Sequence, residues 1–139
     1  MRYLKIDTER LDDMIALHLR YKADIGEEAP SEADIDSLRR AVEAGRICFF
    51  GAECGGELVG CCSVCVTYST FNYAASGVFE DFYIVPEYRH RGIARALANF
   101  AYKESGVSSM TVGCAGCDAD MYRALGFDIP LGSMLSMVK

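Results

Sequence analysis

Arg89, His90, Arg91 and Gly92 stand between a run that reads as a buried strand and a run that reads as a helix, and their types suit the binding of an anion. A tight strand-to-helix turn leaves the first N–H groups of the helix without intrahelical partners, which makes a ready site for a phosphate. Gly92 lets backbone approach an anion closely, Ala94 keeps the first helical turn slim, and Arg89 and Arg91 add charge that pairs with phosphate oxygens. A P-loop is excluded, because no glycine followed by four residues and Gly-Lys-Ser/Thr occurs. A dinucleotide fingerprint is excluded as well, since it needs three glycines and this turn has one. Taken alone, the same residues also fit a basic turn that binds nothing.

The seven cysteines are the other residues with chemical potential. Their number is odd, which does not suit a disulfide framework. Cys61 and Cys65 on one strand would stand about 13 Å apart, too far to share a zinc ion. Cys61 and Cys62 should point to opposite faces. Cys114 and Cys117 have redox or half-zinc spacing, yet no second pair accompanies them. The expectation is therefore a chain without a metal.

The elements that must position the turn follow from periodicity. Phe79 to Val85 is apolar on both faces and fits a strand covered on both sides, ended by Pro86. Ile93, Leu97, Phe100 and Ala101 form one helical stripe that Gly106 closes. Upstream, Arg2 to Ile6 reads as a strand. Asp7 or Thr8 should cap a helix with Leu11, Met14, Ile15 and Leu19 buried. Ser31 and Asp34 have capping-box spacing for a second helix, with Ile35, Leu38 and Val42 inward and Gly45 at its end. Ile47 to Ala52 and Leu58 to Val66 read as a hairpin, and Asn72 to Gly77 as a loop. Downstream, Ser109 to Gly113 reads as a strand and Asp118 as the cap of a short helix ending at Gly126. Phe127 to Ile129 and Met134 to Val138 should complete the sheet.

At 139 residues the chain suits a single domain, 1–139, that buries roughly two-thirds of its unfolded surface. A net charge of −6 argues against nucleic-acid or anionic-membrane binding and favours cationic small molecules. No signal-peptide core opens the sequence and no apolar run spans a bilayer, so the expected location is cytoplasmic.

Arg89, Gly92 and Ala94 keep the arginine, two residues, glycine, one residue, small residue pattern, led in by Pro86-Glu87-Tyr88. It resembles the acyl-coenzyme A binding motif of the GNAT N-acetyltransferase superfamily. Tyr122-Arg123-Ala124-Leu125-Gly126-Phe127 is similar to that family's tyrosine, three residues, Gly-Phe signature, and the order of elements agrees over nearly the whole chain. The resemblance implies an α/β fold with a central mixed, mostly antiparallel sheet, splayed at the cofactor site and flanked by helices. It also implies acetyl-CoA as co-substrate. The pyrophosphate would be held by Arg89, His90, Arg91, Gly92, Ile93, Ala94 and Arg95, and the pantetheine by the backbone of Phe82, Tyr83 and Ile84.

An N-acetyltransferase must take a proton from an alkylammonium that titrates near 10 and give one to a departing thiolate. By resemblance, Glu80 on the central strand is the base and Tyr122 the acid. Strand alternation puts Glu80 and Asp81 on opposite faces unless a bulge intervenes, which leaves Asp81 as a substrate contact. One departure concerns the cofactor arm: where many relatives have an asparagine and an alanine, this chain has Ala115 and Asp118. Tyr68-Ser69-Thr70-Phe71 and the Glu80-Asp81 pair look like the diamine and polyamine branch, with Phe71 in place of a tryptophan, and make Tyr68 a substrate candidate. Asp24, Glu27, Glu28 and Glu32 could attract a polycation or simply solvate a loop. Homodimers are frequent among such relatives. The rival reading is an acyl-coenzyme A sensor or interaction module without turnover, against which the presence of both Glu80 and Tyr122 argues.

Overall fold

The computed structural model describes residues 1–139. Five strands form one sheet in chain order: β1 (Arg2–Lys5), β2 (Cys48–Cys54), β3 (Glu57–Ser69), β4 (Ala74–Ile84) and β5 (Ser109–Val112). Neighbours are antiparallel except β4 and β5, which run parallel and are joined through a helix. That helix, α3 (Ile93–Glu104), covers one face. The other carries α1 (Leu11–Asp24) and α2 (Glu32–Glu43), and a short α4 (Ala119–Ala124) follows β5.

Cross-strand pairs share a face, so the register assigns each side chain. Phe50, Cys62, Val64 and Phe79 lie under α3, where the Phe50 and Phe100 rings stand 6.1 Å apart. Phe49, Cys61, Ser63 and Tyr83 lie under α1, where Tyr21 and Tyr83 stand 5.5 Å apart. Cys61 and Cys62 thus do face opposite ways, and both are fully buried because both faces are covered. The α2 capping box is present: Asp34 N–H donates to Ser31 Oγ at 3.1 Å and Ser31 N–H to Asp34 Oδ2 at 2.9 Å. Ile35, Leu38 and Val42 pack from α2 onto Leu11, Met14, Ile15 and Phe49.

Four expectations are corrected. The loop expected over Asn72 to Gly77 is shorter, because Ala74 to Gly77 already belong to β4 and pair with Val66 to Ser69 of β3. Asp7 accepts from the N–H groups of Glu9 and Arg10 and so closes a turn, while α1 itself begins at Leu11 with Arg10 at its cap. Leu19 is exposed; the stripe of Leu11, Met14 and Ile15 continues to His18, one further step of the helical period, with Leu17 beside it. Phe127 to Ile129 and Met134 to Val138 form no strand. Pro130 between them lacks an N–H, and Gly132 is left-handed at φ 89, so neither supports a ladder there.

Candidate active site

Two irregularities of β4 build the site. Pairing with β5 stops at Phe79 opposite Val112, so Glu80 to Ile84 have no neighbour strand on that side. Pairing with β3 slips as well: Ser63 faces Glu80 and Cys61 faces Tyr83, so Asp81 and Phe82 together oppose Cys62. This is a bulge, and Asp81 takes it at φ 53, in the left-handed region that a side chain disfavours. The bulge overrides alternation. Glu80 and Asp81 both end on the α1 side, while Phe82 turns toward α4, its ring 5.3 Å from Phe79 and 6.3 Å from Tyr122.

β4 leads directly into the anion turn. Pro86–Tyr88 is one 3-10 turn, after which His90 (φ 60) and Gly92 (φ 78) both take left-handed backbone. Gly92 caps α3 without any side-chain bond, and the first intrahelical bond is Ala96 N–H to Gly92 O at 3.2 Å. The N–H groups of Ile93, Ala94 and Arg95 therefore point outward with no partner in the chain. The space before them is open, since a Cβ on Gly92 would meet nothing within 4 Å. Ile93 is buried and pins the turn to the core. Arg89 Nε donates to Ile84 O at 2.9 Å with its guanidinium over the Tyr83 ring, and Arg95 donates to Ala124 O, tying α3 to α4. Arg91, over the Tyr88 ring, and His90 are exposed at the rim. Unpartnered backbone amides, a glycine and nearby arginine charge are together the kind of donor set that suits an anion.

Tyr122 is half-buried on α4, held edge-on by Phe127 with ring centres 5.9 Å apart. Burial above all, then the charges of Tyr21, Asp118 and Cys114, push its phenol above the ordinary tyrosine value. Its proton stays on throughout the neutral range, as a proton donor requires.

Glu80 is exposed and has no ion-pair or hydrogen-bond partner. Asp81 is held differently. Ser63, fully buried on β3, donates its hydroxyl to Asp81 Oδ2 at 2.6 Å, and His18 Nδ1 on α1 stands 4.0 Å from Asp81 Oδ1. Sequence reasoning missed both Ser63 and His18. The signal for His18 was a polar residue at the next step of an apolar helical stripe, and the signal for Ser63 was a lone hydroxyl inside an apolar strand.

Other candidates fall outside this cluster. Tyr68 pairs with Ala75 beside the turn of the β3–β4 hairpin, on the α3 side and exposed, away from Asp81. Asp24 accepts a hydrogen bond from the Tyr83 hydroxyl, and Glu27 pairs with Lys22 at 2.8 Å, so two of the acidic residues are already engaged. Cys114 and Cys117 are exposed free thiols, and nowhere do three or more His, Cys, Asp and Glu side chains gather with metal-ligand spacing. A cavity of about 390 Å³ lies elsewhere, between α3 and β5, lined by Ala98, Tyr102, Met110 and Phe127.

A family profile described as an acetyltransferase (GNAT) domain matches residues 45–129. No curated protein sequence matches. Among solved structures, a probable acetyltransferase is 19% identical at TM-score 0.82, with 100% of each chain covered. A predicted acetyltransferase from Clostridium acetobutylicum, solved with acetyl-CoA, is 16% identical at TM-score 0.78 over 99% of this chain and 95% of that one. An aminoglycoside acetyltransferase from an uncultured soil metagenomic sample, in complex with sisomicin, is 16% identical at TM-score 0.81, with 99% and 95% covered. At these identities the structural likeness shows the fold.

Proposed function

Since the chain belongs to the GNAT acetyltransferase family and is an acyl-CoA-dependent acetyltransferase, we propose that it moves an acetyl group from acetyl-CoA to a primary amine of a small, cationic acceptor. The observation that carries this reading is the junction at Phe79: β4 parts from β5 there and, still paired with β3 but open on the β5 side, runs into a turn of outward-facing amides. Acetyl-CoA supplies the activated acetyl as a thioester. The amides of the Gly92 turn, with Arg89, Arg91 and Arg95, hold its diphosphate, and the backbone of Phe82, Tyr83 and Ile84, which faces no strand on the β5 side, pairs with its amide-rich arm like an added strand, the Ile84 carbonyl being held by Arg89.

Glu80 then takes the proton from the acceptor's ammonium, directly or through water, and the free amine attacks the carbonyl. Its exposed carboxylate has no competing partner. Tyr122 gives its proton to the departing sulfur. Asp81, brought to the same face by the bulge, holds the acceptor. The net charge of −6 favours a cationic acceptor over an anionic one. Two related structures add chemical support: one contains acetyl-CoA, and another, an aminoglycoside acetyltransferase, contains sisomicin, which carries several amines. All seven thiols are free, which suits a reducing cytoplasm, and a homodimer is the assembly that family likeness suggests.

The test is thiol release from acetyl-CoA with a panel of amines: 1,4-diaminobutane, spermidine, sisomicin and lysine. Wild type should release thiol with at least one. Tyr122→Phe and Glu80→Gln should each lower kcat by about 10²–10⁴-fold. Wild-type rates in both variants, or no release with any amine, would overturn the assignment.

A further inference from the structure

We propose that Asp81 anchors the acceptor's ammonium group through one oxygen, and that Ser63 and His18 are the positioning residues that decide when that oxygen is available. The inference rests on the amine-acetylating reading above. Ser63 fixes Oδ2 at 2.6 Å. Oδ1 accepts no hydrogen bond from the chain and is not sealed from solvent, whereas the His18 Nδ1 behind it is both sealed and without a partner. At 4.0 Å the two atoms are too far apart to be bonded. A neutral imidazole with its proton on Nε2 presents only a lone pair at Nδ1 and so leaves Oδ1 to a ligand.

A protonated imidazole does not. It carries N–H on both nitrogens, and closing the gap by about 1 Å would give a charge-assisted hydrogen bond to Oδ1. Ammonium and imidazolium then compete for one oxygen. The charged and titratable groups around this pair are Tyr21 and Lys22 on α1, Glu27 just beyond it, and Cys61 on β3 beside Asp81. Lys22 and Glu27 neutralise each other, and burial pushes the Cys61 thiol up to about 12, so it stays uncharged. Burial lowers the His18 pKa, and Asp81 opposes that only in part. The imidazole is consequently neutral at neutral pH and protonates on the acid side of the ordinary histidine value of about 6.5.

The experiment measures kcat and both KM values between about pH 5 and pH 8, a range in which alkylamines stay protonated. The acceptor is 1,4-diaminobutane or the best amine of the panel. Expected for wild type is an acceptor KM that climbs toward tenfold per pH unit at the acid end, while the acetyl-CoA KM stays flat. His18→Gln should flatten the acceptor KM, and Asp81→Asn should raise it at every pH and remove the slope. A slope retained in His18→Gln, or one shared equally by both substrates, would overturn the proposal. Should His18→Gln fail to fold, the wild-type His18 imidazole titration is followed by NMR with and without the amine. The amine must lower that pKa; an unchanged or raised value overturns the proposal. If no amine is turned over, the reaction assigned above fails, while the imidazole titration against 1,4-diaminobutane still decides this inference.

Discussion

At the scale of single residues, two side chains, Tyr122 and His18, are kept in different protonation regimes by their surroundings. Tyr122 holds its proton because it is half-buried against Phe82 and Phe127. A kcat profile should accordingly show no basic limb from this group below about pH 10, where a free phenol titrates. His18 works in the opposite sense. Its folded pKa is depressed, so the unfolded chain binds the extra proton more readily, and stability present above about pH 6.5 should fall as pH drops through the folded value. Denaturant midpoints between about pH 7 and pH 5 check this: wild type should lose stability over that window more steeply than His18→Gln. The cysteines divide by burial. Cys61 and Cys62 have thiols pushed well up, whereas Cys114 and Cys117 are exposed, so iodoacetamide followed by mass spectrometry should label the exposed pair first. Glu80, Asp81 and Tyr122 were readable as chemical groups in the sequence. Ser63 and His18 were not, because each is a polar residue inside an otherwise apolar pattern, and only the packing of α1 on β3 and β4 gives it a partner.

At the scale of elements, the Gly92 turn and the two interruptions of β4 do the positioning. Gly92 needs its left-handed φ of 78, so Gly92→Ala should cost about 1–2 kcal/mol of stability and raise the acetyl-CoA KM, although a methyl group there meets no obstacle. Ser31 offers a control remote from the chemistry. Ser31→Ala removes one half of the α2 capping box and should lower stability by about 1 kcal/mol with kcat unchanged, as thermal unfolding and thiol release would show. Glycine, proline and capping residues made α2, α3 and the β2–β3 hairpin legible from the sequence. The bulge at Asp81 was legible only as a condition, because period-2 alternation cannot say where a strand slips. The last two expected strands failed for a related reason: Phe127 to Val138 has the apolar content of strands, but Pro130 and the left-handed Gly132 interrupt any ladder.

At the scale of the whole molecule, the order of elements and the two motifs at Arg89 and Tyr122 carried the family assignment, and the sheet agrees with it in both order and parallel pairing. Net charge said only which ligands to disfavour. It could not show that Asp24 and Glu27 are engaged by Tyr83 and Lys22, while Glu80 and one oxygen of Asp81 stay free on the α1 side. No helix is long and apolar enough to cross a membrane. The cavity between α3 and β5 lies away from the Gly92 turn and so gives a competing location for a ligand. Amide NMR of the wild-type protein titrated with acetyl-CoA discriminates between the two directly. The account requires the strongest shifts at the N–H groups of Gly92 to Arg95 and of Phe82 to Ile84. Shifts confined to Ala98, Tyr102, Met110 and Phe127, or none at all, would contradict it.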